Sequence, residues 1–500
     1  MDESVKERIK FEPLREKILS AEEAAKFVED GMRIGTCGTP TAGCPISFFE
    51  ALTRRAEQGE RFKVDLWSCA PLSPEVDGKL AETGMLNRRL AHQANPILAK
   101  AANKGEIHYA DMGAAWVPLE VRKGSLGKLD FAVVEAVEIT DQGYVVPTIN
   151  VGDEATFLRY ADNVIVEINM NMPLELSGMH DIYIPDSPPN RKPIPLNKVS
   201  DRIGTPYMEV APEKIKGIII SYKKTNPPGR AAIDEVSRTI AKNIVSFFER
   251  EVQAKRLPEN LLPFQTGLGA LGGAILSELE QSKFENLEVH SALIDDGVLD
   301  LIDSGKIRAA DGVGLFFTEE ALQKLVKNVE RYKEKIILRP IDIVNSPEVI
   351  RRLGVIALNT AVEMDIYGHI NSSHVSGTRI MTGVAGSIEF SRNGYLSIFM
   401  SPSTARKGAI SAIVPMVSHV DHTEHEVSVI VTEQGLADLR GLDPRERAKE
   451  IIEKCAHPDY KPLLWDYFHE AEVKGGHEPH ILSKAFDFHQ RLAGKGTMKT

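Results

Sequence analysis

The stretch Leu262-Pro-Phe-Gln-Thr-Gly-Leu-Gly-Ala-Leu-Gly-Gly273, with the residues that follow it, decides the fold class. Glycines at 267, 269 and 272 form a GxGxxG pattern, a helical run follows (Ala274, Ile275, Leu276, Leu279), and then a strand, Leu287–Ser291. Such a loop lets backbone N–H groups approach an anion, or a developing oxyanion, at a helix N-terminus. A dinucleotide site would also need an acid near the end of the second strand to hold a ribose, for which Asp295 and Asp296 are the candidates. The motif alone does not choose between these readings.

Working outward, the same grammar recurs. Ser20 and Glu23 form a capping-box pattern before Ala24-Ala25-Lys26-Phe27-Val28, and Gly31 stops that helix. A strand over 32–36, a loop over 38–45 rich in Gly, Thr and Pro, and a helix from Ile46 open another α/β unit. Apolar strand-like runs return at 63–67, 131–137, 164–168 and 218–221 with helical segments between several of them, which predicts parallel sheets covered by helices. Thr225-Asn-Pro-Pro-Gly-Arg230 can continue neither a helix nor a central strand, so domains are expected at 1–228 and 229–500. An amphipathic helix follows, striped by Ile233, Val236, Ile240, Ile244 and Phe247. Ala136-Val-Glu-Ile-Thr-Asp-Gln-Gly143 resembles Ala361-Val-Glu-Met-Asp-Ile-Tyr-Gly368 at an offset of 225, which also carries Gly152 onto Gly377. Residues 481–492 read as a packing helix.

Composition excludes several classes. A net charge of −11 argues against clamping nucleic acid or an anionic membrane through the overall field. Apolar residues at 42% and charged residues at 26% are those of an ordinary soluble protein. Cys37, Cys44, Cys69 and Cys455 form no CxxC and suggest reduced thiols. The N-terminus has no secretory h-region and no apolar run reaches the roughly 18 residues of a membrane span, so a cytoplasmic protein is expected, or a mitochondrial one had a transit peptide been removed. His419, His422 and His425 have a metal-like spacing, but the apolar run at 410–417 reads as a buried strand and turn, and no metal is expected.

The segment His290-Ser-Ala-Leu-Ile-Asp-Asp-Gly297 places Ala292 at a strand's carboxyl end, where chemistry concentrates in open α/β sheets. Across 264–273, 290–306, 337–354, 365–368 with 371–372, 383–390, 395–404, 410–422, 431–442 and 454–460 the chain resembles the class I CoA-transferases of the acetyl-CoA hydrolase/transferase type, with weaker likeness over 35–52 and 130–169. That resemblance implies two related open-sheet α/β domains (NagB/CoA-transferase-like), the active site between them, the second domain carrying both the glycine-rich loop and the nucleophile position. It implies that CoA moves between a short-chain acyl-CoA (acetyl, propionyl, succinyl or butyryl) and a carboxylate such as acetate, through a glutamyl-CoA thioester. No cofactor beyond the substrate coenzyme A is implied, the partners are acyl-CoA and a small carboxylic acid, and relatives are commonly homodimers.

The family pattern at the strand end is Ser/Thr-Glu, two apolar residues, one variable residue and Asp; here it reads Ser291-Ala292-Leu-Ile-Asp-Asp296, so Ala292 falls on the catalytic glutamate. By the same resemblance Asn345 lies near the reacting carboxyl, Glu433 is a second active-site carboxylate, and the backbone of Gly267, Leu268, Gly269, Ala270 and Leu271 supplies oxyanion donors. Val362, Thr382, Gly386 and Arg406 line the CoA site, and Arg406 also suits CoA phosphates as a cation. An alanine among intact neighbours is what a Glu→Ala substitution leaves; a natural pseudoenzyme is the alternative. Cys69-Ala-Pro71 stands where some succinate-using relatives carry Gly-Ala-Ser, and Ala94 where they carry threonine, which leaves the acid open. An acetyl-CoA hydrolase with Glu433 as base and a non-catalytic acyl-CoA binder are the competing classes.

Overall fold

The computed structural model describes residues 2–40, 43–224, 227 and 229–500. Residues 225, 226 and 228 of the expected linker and 41 and 42 of the expected loop lie outside the described residues. The chain forms two compact units: Met1–Arg230 with Glu288–Asp303 and Ile307–Leu353, and Ala231–Leu287 with Ser304–Lys306 and Gly354–Thr500.

In the first unit, seven parallel strands lie in the order His108–Ala110, Leu86–Leu90, Val64–Trp67, Arg33–Gly35, Phe131–Ile139, Asn163–Asn169 and Ile215–Ser221. Phe131–Ile139 is buried at every position, as a strand covered on both faces must be. Ser20 caps the helix Ala21–Ala25 with both halves of the capping box formed.

The compact units differ from a single break near the linker in that Ala292 and Asn345 fall in the first of them. Long-range backbone bonds join segments within that unit. Val151 N–H donates to the Val313 carbonyl at 2.9 Å, Leu315 N–H to Ile149 at 2.9 Å, and Asp181 N–H to Leu338 at 2.8 Å. These isolated bridges tie 307–338 to 149–181, and each N–H satisfied this way is one that burial would otherwise leave orphaned.

In the second unit, parallel strands Phe264–Thr266, Ile356–Thr360, Leu396–Met400 and Val429–Thr432 are followed by an antiparallel edge, Gly435–Asp438. Helix Glu235–Gln253 buries Ile240, Ile244 and Phe247 of the expected stripe. The expected helix at 481–492 is shorter at its start. Lys484 N–H bonds back to Ile481 at 2.8 Å and Asp487 N–H to Lys484 at 3.0 Å as tight turns, and the helix runs Asp487–Lys495.

The internal repeat is a repeated hairpin. Thr140 N–H donates to Tyr144 at 2.8 Å and Gly143 N–H to Thr140 at 3.0 Å; Asp365 N–H donates to His369 at 3.0 Å and Gly368 N–H to Asp365 at 3.1 Å. Gly143 and Gly368 both turn the chain at positive φ, +84° and +99°. The offset of 225 therefore relates hydrogen bond to hydrogen bond.

Candidate active site

In the second unit, strand Phe264–Thr266 ends on the glycine loop, and the helix Ala270–Gln281 starts at once. Each glycine has its own reason. Gly267 N–H donates to the Leu358 carbonyl at 3.1 Å, fixing the loop to the neighbouring strand. Gly269 sits at φ +95°. A Cβ on Gly272 would lie 1.9 Å from the Gly267 carbonyl oxygen, so only glycine lets the first helical turn close against the loop. Its N-cap, Gly269, has no side chain to bond the first N–H groups, and those groups have no intrahelical acceptor. Leu268 and Gly269 are exposed.

Glu433 follows strand Val429–Thr432 and is half-buried. Its carboxylate accepts from Ser403 N–H at 2.8 Å, from the Ser403 hydroxyl, and from Gln434 Nε2 at 3.0 Å. Burial pushes its pKa up, but these three donors outweigh burial and hold it below the ordinary glutamate value. Ser403 comes from a loop thirty residues earlier, and no spacing in the sequence points to it.

Val362 N–H donates to Asn371 at 2.8 Å in the second copy of the repeated hairpin, and Thr382 N–H to Ser373 at 3.3 Å. Gly386 is buried at the start of helix Ser387–Asn393, after Ala385 at φ +55°. Arg406 is exposed in a tight turn at φ +49°, and among the described residues no carboxylate pairs with it.

In the first unit, the strand expected to end at Ser291 continues to Asp295, alongside the neighbouring strand Ile307–Phe316. Ala292 therefore lies inside the strand, half-buried, between buried Ser291 and half-buried Leu293. Asn345 is fully buried at the end of helix Ile341–Val344. Asp295 accepts from Gly297 and Val298 N–H at 3.1 and 3.3 Å, and Asp296 from Thr318 N–H at 2.9 Å and its hydroxyl at 2.7 Å. Both acids are engaged in the protein's own turns, which removes the support for a ribose-holding role.

The three spaced histidines do not converge. His419 pairs with Asp421 at 3.2 Å, His422 is buried against the hydroxyls of Ser387 and Ser391 at 3.2 and 3.0 Å, and His425 is exposed. Among the described residues no three metal-type side chains group together. No helix among them is long and apolar enough to cross a membrane. Cys69 is buried with its sulfur 3.6 Å from that of Cys37, and its N–H donates to Asp153 at 2.7 Å; Ala94 is exposed.

Comparison with known proteins places this architecture in a class. Residues 2–220 match the acetyl-CoA hydrolase/transferase N-terminal domain and residues 322–468 the C-terminal domain of the same name. The chain belongs to the acetyl-CoA hydrolase/transferase family. It is 44% identical to a succinyl-CoA:acetate CoA-transferase of Clostridium kluyveri, over 98% of this chain and 92% of that one. It is 42% identical to an acetyl-CoA hydrolase of Candida glabrata, over 99% and 97%. The solved 4-hydroxybutyrate CoA-transferase of Porphyromonas gingivalis shares the fold, with a TM-score of 0.63 at 22% identity over 92% of this chain and 99% of that one.

Proposed function

We propose that this chain has the machinery of an acyl-CoA:carboxylate CoA-transferase, acting on acetyl-, propionyl-, succinyl- or butyryl-CoA with acetate as the favoured acceptor, and that Ala292 stands in place of its nucleophilic glutamate. The observation that carries the reading is Ala292 itself. It is a small, half-buried side chain on an ordered strand, within a chain that matches a succinyl-CoA:acetate CoA-transferase almost end to end.

With glutamate at 292, its carboxylate attacks the thioester carbonyl and releases CoA thiolate, leaving an acyl-glutamyl anhydride. The thiolate attacks the glutamyl carbonyl and frees the first acid. The incoming carboxylate then attacks the glutamyl-CoA thioester, the thiolate departs, and its return to the new acyl group yields product and restores glutamate. Splitting the transfer this way avoids one difficult step. The N–H groups of Gly267, Leu268, Gly269, Ala270 and Leu271 and the amide of Asn345 stabilise the tetrahedral oxyanions. Val362, Thr382, Gly386 and Arg406 hold CoA, and Glu433, kept ionised by Ser403 and Gln434, orders polar groups near the reacting acid. Coenzyme A enters as substrate, and no further cofactor is needed. A cytoplasmic homodimer is part of the same reading, checked by light scattering.

As written, the chain binds acyl-CoA without consuming it. Titration calorimetry with acetyl-CoA, followed by chromatography of the recovered thioester, tests this. Ala292→Glu is expected to raise acetate-dependent transfer by about 10³-fold or more over the parent chain; a screen of acetyl-, propionyl-, butyryl- and succinyl-CoA against several acids then fixes the substrate. No gain would refute the idea that one side chain is missing. The second reading, hydrolysis with Glu433 as base, is favoured by the Candida glabrata relative; it predicts thioester loss without acceptor acid while Ala292 is in place.

A further inference from the structure

His290 lies two residues before Ala292, so its side chain shares that residue's face of the strand. It is fully buried. Its Nδ1 is 2.7 Å from Asp311 Oδ1, and its Nε2 is 2.7 Å from the carbonyl oxygen of Val344, the residue before Asn345. A carbonyl only accepts, so Nε2 carries its hydrogen toward Val344. The second oxygen of Asp311 accepts from Arg339 Nε at 2.8 Å. Arg339 in turn pairs with Asp181 and donates to the Val199 carbonyl at 3.1 Å. All of these side chains are buried and belong to the first unit.

We propose that His290 is a positioning residue: it locks the strand segment at 292 to the turn that presents Asn345, and so sets where a carboxylate at 292 meets the thioester. This rests on the CoA-transferase reading above. Buried ionic networks are often retained for structure alone. This one differs in what it joins, because the imidazole bridges the two segments of the first unit that carry site positions, and Asp311 and Arg339 leave it no freedom to re-orient. Near-attack geometry makes such bridges costly to lose, since about 1 Å of misplacement lowers a rate by about 10²-fold.

The test compares two replacements in the Ala292→Glu protein. In His290→Gln the amide reaches Val344 in place of Nε2. In His290→Asn the shorter amide reaches only toward Asp311. The proposal expects His290→Asn to lose about 10²-fold in kcat and His290→Gln to retain at least about tenfold more, with KM for acetyl-CoA within about twofold for both and similar melting temperatures. Equal kcat in the two variants, or losses that follow melting temperature, would overturn the positioning role while leaving the transferase reading intact. Inactivity of Ala292→Glu with His290 in place would overturn that reading, and this inference with it.

Discussion

The molecule contains two strand–loop–helix openings of the same kind, and they end differently. In the first unit, Arg33–Gly35 leads through a glycine-containing loop into helix Ile46–Glu57. That helix start is filled by the protein itself: Glu167 accepts from Ser47 N–H and Phe48 N–H, each at 3.0 Å. At its described glycines the loop is close-packed: a Cβ on Gly38 would lie 2.2 Å from Cys44 Sγ and one on Gly43 2.7 Å from Asn150. In the second unit, Gly269 has nothing within 4 Å of its would-be Cβ, and helix Ala270–Gln281 starts without a side-chain cap. A helix N-terminus attracts an anion wherever it occurs. Among the described residues, a carboxylate of the chain fills the first helix start, and no N-cap side chain bonds at the second.

Substitutions that break this contrast should rank as follows. Gly272→Ala forces a Cβ against the Gly267 carbonyl and should cost about 2–4 kcal/mol in urea unfolding, together with at least about tenfold in acetyl-CoA affinity; unchanged affinity would show that the loop's shape is not what binds. Glu167→Ala strips the filled terminus of its buried acceptor and should cost about 2–3 kcal/mol while acetyl-CoA affinity stays the same. A parallel loss of affinity would mean that the first opening also serves the ligand.

Glu135 sharpens the comparison through pH. It lies opposite Glu167 on the adjacent strand. Burial, then the Glu167 charge, pushes its pKa up to about 8. A carboxyl raised in the folded state imposes no penalty below its unfolded value near 4.5; the penalty grows as pH rises and is complete above about pH 8. Stability should therefore fall between pH 5 and pH 8, by about 3–4 kcal/mol, and Glu135→Gln should flatten that slope in thermal melts. The smallest effect is expected at Gly269→Ala. The space is open but φ is +95°, so the cost should be near 1 kcal/mol, read by urea titration.

Much of this was legible in the sequence because it is local. The Ser20–Glu23 capping box, the helix stripe at Ile240, Ile244 and Phe247, and the glycine loop each need only neighbouring residues. The 225-residue repeat was visible because both copies use a glycine at the same turn position. The strand through Ala292 runs past Ser291 to Asp295, an end that local patterning does not mark. At 481–492 apolar spacing does not distinguish tight turns from a first helical turn, and the helix starts only at Asp487.

The sequence by itself determined the α/β class, the family resemblance and the alanine at 292, all of which rest on residue identity and short-range periodicity. The tertiary structure alone decided that 288–303 and 307–353 fall in the first compact unit, that Ser403 bonds the Glu433 carboxylate, that Glu167 occupies one helix terminus, and that His290 bonds the Val344 carbonyl. Each of these is a hydrogen bond or ladder between residues distant in the chain or on separate elements. Such a pairing is fixed by the burial of a polar group that must find a partner, and not by the spacing of the residues that provide it.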